Sequence, residues 1–283
     1  MSATRRLAGF GVALVAILGV GAGVGATFGP DVETVEAEAP APIGQGVVAA
    51  AEGYRFLPTA TALDPSGGPF EFTIADQQGH PVRELTEIHE KALHLIVVNR
   101  ELTVFHHVHP ELRDDGTWTI DLPALEAGSY RAIADFQVAG GPRLALGTDL
   151  SVGGEHEPTE MPEPTWKTHT DGYEVWLATE RSERGEITAE LVVRRNGEPV
   201  TDLQPHLGAQ GHLVAIRTGD LAYAHVHPVD DEAPPPGVVV FDAELTSAGR
   251  YRLFLDFKHD GTVHTASFTF DQGPVTGKPD MEM

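Results

Sequence analysis

Phe70-Glu71-Phe72-Thr73-Ile74 puts three large apolar side chains on one side of an extended chain and Glu71 and Thr73 on the other. The same period of two runs through Thr117-Trp118-Thr119-Ile120-Asp121-Leu122, Tyr173-Glu174-Val175-Trp176-Leu177, Tyr251-Arg252-Leu253-Phe254-Leu255 and Ala266-Ser267-Phe268-Thr269-Phe270. Gly, Pro, Asp and Asn separate these runs, and no sustained helical period interrupts them, which is the pattern of short antiparallel strands. At about seven strands per hundred residues the expected closure is an immunoglobulin-like β-sandwich, with a small barrel as the alternative.

The chain carries this pattern twice. Gln78 to Pro110 aligns without a gap on Asn196 to Pro228, with ten of thirty-three positions identical. Upstream, Gly53-Tyr54 answers Gly172-Tyr173. Downstream, Gly128-Ser129-Tyr130-Arg131 through Asp135-Phe136 answers Gly249-Arg250-Tyr251-Arg252 through Asp256-Phe257. A unit of about a hundred residues is one small domain rather than one turn of a solenoid. The expectation is an all-β chain of two tandem immunoglobulin-like β-sandwiches, at 47–153 and 171–271, joined by a Pro- and Glu-rich linker at 154–170 and followed by a loose tail at 272–283. Tyr130 and Tyr251 resemble the tyrosine that pins a sandwich corner. Packing and turn chemistry account for Asp135-Phe136 and Asp256-Phe257, which are left out of the site.

Residues 1–30 stand apart. Arg5 and Arg6 precede a stretch from Leu7 to Pro30 without a charged residue, long enough to cross a bilayer. Arginines before it and acidic residues after it orient it as a single-pass anchor with the bulk of the chain outside the cytoplasm; the alternative is a cleaved signal peptide and a secreted protein. The Ala/Glu/Pro-rich segment 31–46 reads as a stalk. The chain has no cysteine, so no disulfide and no thiolate ligand is available. Its net charge of -23 excludes nucleic acid as a partner. The expected partners are a metal ion, the membrane through the N-terminal helix, and an envelope protein.

Within each repeat, His94-Leu95 is followed by His107-Val108-His109-Pro110, and His212-Leu213 by His225-Val226-His227-Pro228, with the same thirteen-residue step between the first two histidines. If Thr218-Gly219 is a two-residue turn, His212 falls opposite His225, with His227 on the same sheet face. The same arithmetic across Arg100-Glu101 sets His94 opposite His107, with His109 alongside. Three imidazoles on one face suit Cu(II) or Zn(II), which favour nitrogen ligands. The expected ligands are His94, His107 and His109 in one site and His212, His225 and His227 in a second. His89, His206 and His264 are candidates for a further position. Metal binding requires neutral imidazoles, so affinity is expected to fall as pH drops through about 6.5.

The strings His89-Glu90-Lys91, His94-Leu95-Ile96-Val97-Val98 and His107-Val108-His109-Pro110, and later Pro199-Val200-Thr201-Asp202-Leu203, Gly211-His212-Leu213-Val214 and His225-Val226-His227-Pro228, resemble a family of exported or membrane-anchored actinobacterial proteins with tandem repeats, often labelled heavy-metal-associated. The resemblance runs from about Gly46 to Asp271. The architecture is more loosely similar to the immunoglobulin-like copper-handling domains of the CopC and YtkA types. The resemblance implies export, a double sandwich and a copper ligand. One departure stands out: His206 follows Pro205 where an aromatic residue is expected.

The functional expectation is a membrane-anchored, extracytoplasmic metal-binding protein that buffers, senses or transfers copper, or alternatively zinc, through two histidine sites, and is not an enzyme. Two alternatives are a structural or interaction module of the envelope that uses no metal, and a copper-dependent redox enzyme, since His-x-His on a strand resembles the ligand pair of Cu/Zn superoxide dismutases. Against the enzyme, no acid–base pair, nucleophile motif or nucleotide fingerprint accompanies the histidines.

Overall fold

The computed structural model describes residues 42, 44–181, 187–224, 226–229, 234–245 and 247–273. The expected N-terminal membrane helix, most of the stalk, the tail from residue 274 and His225 lie outside the described residues. Among those described, no helix is long and apolar enough to cross a membrane.

Every regular element described is a β-strand, and the strands form two immunoglobulin-like sandwiches. In the first, a five-stranded sheet centred on Gly68–Ala75 packs on a six-stranded sheet whose middle strands are Leu93–Asn99, Gly128–Val138 and Arg143–Val152. Phe70, Phe72 and Ile74 meet Leu95, Ala134 and Phe136 between them, so the alternation of the opening stretch is spent on this core. Phe72 is fully buried, edge-on to Phe56 with ring centroids 4.9 Å apart. Phe72→Ala is therefore expected to destabilise the first sandwich by about 3–5 kcal/mol, measured as a lower urea midpoint for that sandwich by tryptophan fluorescence. The second sandwich repeats the plan, with Leu191, Val193 and Phe241 packed on Leu253, Leu255 and Phe268. Both corner tyrosines act as their sequence context suggests: the Tyr130 hydroxyl donates to the Glu126 carbonyl and the Tyr251 hydroxyl to the Ser247 carbonyl, each at 2.9 Å.

Both expected hairpin registers are shifted by two residues. Leu95 pairs with Val108 and Ile96 with His107, which places His94 in line with His109 rather than His107. The turn is a four-residue loop from Arg100 to Thr103. The Asn99 side-chain oxygen accepts from the backbone N–H groups of Thr103 and Val104, and Leu102 takes the left-handed conformation at φ 55°. In the second repeat Ile216 pairs with Tyr223, and the Arg217 N–H donates to the Ala222 carbonyl across a loop that contains Leu221 at φ 60°. A shift of two preserves which face each side chain occupies, so His94, His107 and His109 keep their common face. Beyond Ala224 the second repeat changes sheet: Val226–Pro228 pairs with Val238–Ala243, and His227 falls opposite Asp242.

Two expected boundaries also move. Lys167–Thr170, assigned to the linker, is a strand paired with Tyr173–Arg181. Gly44–Gly46, assigned to the stalk, docks on the first sandwich, where the Gly46 N–H donates to the Ala145 carbonyl at 2.8 Å. A Cβ on Gly147 would sit 1.8 Å from the Gly46 carbonyl oxygen, so that close approach requires glycine.

The strand Leu93–Asn99 is buried at every residue, on both of its faces. Its inward face lies in the first core. Its outward face, with Ile96 and Val98, packs with Ile133 and Ala145 against Val214, Ile216, Tyr223 and Phe254 of the second sandwich. Phe105 stacks on Phe254 across this seam with centroids 4.1 Å apart and planes 7° from parallel. The two repeats thus bury the same outward face against each other, and that face carries the histidines.

Candidate metal centre

His94 pairs with Asp135, and His212 with Asp256, at corresponding places in the two sheets that meet at the seam. The structure therefore brings His212 of the second expected set beside the first set, while His227 pairs into the neighbouring sheet and His225 lies outside the described residues. His107 and His109 join from the strand beside His94. The ring centroids of His107 lie 5.2 Å from His94, 4.9 Å from His109 and 4.7 Å from His212, and those of His94 and His109 are 4.9 Å apart. Ligand nitrogens of His94, His107 and His212 all lie within 4.8 Å of one another. His94 and His212 are 3% and 9% exposed.

The outer hydrogen bonds fix which nitrogens point inward. A carbonyl only accepts, so His94 donates its Nε2–H to Ile88 at 2.8 Å and keeps a lone pair on Nδ1. The Asp256 carboxylate accepts from His107 Nδ1 at 3.0 Å, so His107 turns its Nε2 toward the centre. His94 Nδ1 and His107 Nε2 are 3.0 Å apart, and His109 Nε2 is 3.2 Å from His94 Nδ1. At this separation a proton carried by either neighbour can be donated to the His94 Nδ1 lone pair, and a cation can take its place. One ion held at about 2.0–2.1 Å by two imidazoles at roughly 90–110° sets their nitrogens about 2.9–3.4 Å apart. The donor set fits such an ion, and a carboxylate behind a ligating imidazole is the usual outer support.

Burial keeps the His94, His109 and His212 imidazoles neutral near pH 7. Burial, and then the neighbouring His107, push His94 down to about 4. Burial, His107 and His94 push His109 to about 2, and His212 falls well below the ordinary histidine value for the same reasons. Proton competition at these three groups thus falls below the ordinary histidine value of 6.5.

The additional candidates separate. His89 sits in a two-residue turn at φ 49°, its ring 5.3 Å from His212 and 6.1 Å from His94, and burial lowers its pKa. His206, half-buried, takes the place of Ile88 just before the corresponding turn of the second repeat, Leu207-Gly208, close enough to act on His109 and His212. His227 is half-buried and its charge is felt at His89. His264 does not belong to the centre. It lies opposite Phe257 on the inner side of its sheet, its ring 4.7 Å from Tyr173, and hydrogen-bonds through Nδ1 to Asp171 at 2.8 Å.

Asp256 and Asp135, set aside in the sequence, are part of this seam. The Asp256 side chain is 5% exposed, touches His107 and also accepts from Thr265. Asp135 is ion-paired with Arg143 at 3.0 Å and accepts from the Tyr223 hydroxyl of the other sandwich at 2.9 Å. Their signal was visible as the same Asp-Phe pair at the same place in both repeats.

No curated protein matches the chain. Among solved structures, InvD of Yersinia pseudotuberculosis is 12% identical, with a TM-score of 0.25 over 81% of this chain and 62% of that one. A bacterial integrin-binding invasin is 11% identical, with a TM-score of 0.23 over 78% of this chain and 40% of that one. A marsupial T cell receptor is 11% identical, with a TM-score of 0.24 over 77% of this chain and 99% of that one. This chain thus spans less than two thirds of the length of the first two. The family described as Domain of unknown function (DUF8832) matches residues 49–148 and 168–273. Matched in two tandem segments that together take in well over half its length, the chain belongs to the DUF8832 family.

Proposed function

We propose that this protein binds one transition-metal ion, copper(II) in the first instance and zinc(II) as the alternative, between its two sandwiches, and that it buffers, senses or transfers that ion outside the cytoplasm, anchored by its N-terminal segment. His94, His107, His109 and His212 are the proposed ligands. The supporting observation is that His94 Nδ1 and His107 Nε2 face each other 3.0 Å apart while their other ring nitrogens are already committed to Ile88 and Asp256. This reading replaces two independent sites with one shared centre. Isothermal titration of the full chain with Cu(II) and Zn(II) tests it, and absence of binding would refute it.

Asp256 supplies a second check. Asp256→Asn keeps the shape but removes the charge behind His107, and is expected to weaken metal binding about 10- to 100-fold with the fold intact by circular dichroism. Unchanged affinity would remove Asp256 from the centre.

The other reading, an envelope interaction module without metal, draws on the same contact. His107 and Asp256 tie the two sandwiches together across a buried seam and would do so with a proton in place of the ion. The two readings part at the titration, since the module binds no ion.

A further inference from the structure

We infer that ion binding and docking of the two sandwiches are one coupled equilibrium, the ion acting as the clasp that closes the seam. This rests on the metal-binding reading and adds a mechanism to it.

The ligands come from both sides: His94, His107 and His109 from the first sandwich, His212 from the second. An ion that needs all of them binds only the docked arrangement. Docking in turn is what creates the centre. His107 finds Asp256 only across the seam, and His212 reaches within 4.7 Å of His107 only there.

Several contacts draw the seam together without an ion. Phe105 on Phe254 and the aliphatic cluster around Ile96 and Ile216 favour closure. So do the Tyr223 hydroxyl on Asp135, the Arg252 Nε on the Leu102 carbonyl and the Arg100 guanidinium on the Gly219 carbonyl. Closure also buries the His212 ring against those of His107 and His94, with centroids 4.7 and 5.5 Å apart. An ion held by His212 together with the histidines of the first sandwich adds bonds to both sides of the seam. A ligand that binds one state alone shifts the equilibrium in proportion to its excess over its Kd, so at about 100 times Kd the docking constant rises about 100-fold.

The segment between the strands Arg143–Val152 and Lys167–Thr170 allows a direct test. A specific protease site introduced at residues 155–160 of the full chain is cut after folding, and association of the two halves is measured by analytical ultracentrifugation with Zn(II) or with chelator. The expected result is association at least tenfold tighter with Zn(II), with the gain lost in His212→Asn. On the unmodified chain, hydrogen exchange at the Tyr223 amide, which donates to the Gln45 carbonyl at 2.7 Å, is expected to slow at least tenfold with Zn(II). Metal-independent association and exchange in a protein that binds Zn(II) by titration would overturn the coupling alone. Failure of the uncut chain to bind any ion would overturn the coupling together with the metal-binding reading.

Discussion

His94→Ala is expected to lower the affinity for Cu(II) and Zn(II) by about two to three orders of magnitude, the share of one ligand when a four-ligand site contributes roughly 10–16 kcal/mol. His94 is the hub of the centre, since its Nδ1 lies 3.0 Å from His107 and 3.2 Å from His109. Its removal also frees the Ile88 carbonyl, so His94→Gln, which retains a donor, is the matching control. Both variants should lose the ion while circular dichroism stays unchanged. His264→Gln should keep wild-type affinity, because that ring serves Asp171 at another place. Equal loss from His264→Gln would mean that binding is nonspecific.

The second large effect is on stability as a function of pH in the ion-free protein. His94 is held at about 4 in the folded chain, against an ordinary value of 6.5. Between those two values the unfolded chain takes up a proton that the folded chain does not. Stability is therefore full above about pH 6.5 and is lost as pH falls toward 4. His94 alone accounts for roughly 3 kcal/mol over that window, and His109 and His212, lowered by the same burial, act in the same direction. Urea denaturation at pH 7.5, 6, 5 and 4.5 should show a progressive fall, and bound Zn(II) should offset it. A flat profile would mean that the histidines are hydrated and the seam open.

The strands, the duplication and both tyrosine corners were legible in the sequence because they follow from local alternation and from fixed neighbours. The common face of His94, His107 and His109 was legible too, and it survived a register error because the loop lengthens the hairpin offset by two. The offset itself was hidden: it depends on Asn99 capping two backbone N–H groups and on Leu102 and Leu221 accepting the left-handed conformation. The approach of His212 to His94 and His107 was the larger miss. Its trace lay in His94-Leu95-Ile96-Val97-Val98 and His212-Leu213-Val214-Ala215-Ile216, which are apolar on both faces where a sandwich strand with one solvated face alternates. Such runs announce a second packing layer, and the layer is the other repeat.

The central claim is that both repeats serve one centre, and stoichiometry tests it most directly. Titration of the full chain with Cu(II) at pH 7.5 should give one equivalent of tight binding, and His107→Gln in the first repeat and His212→Asn in the second should each abolish it. Two equivalents, with one retained in each variant, would contradict the account by restoring two independent sites.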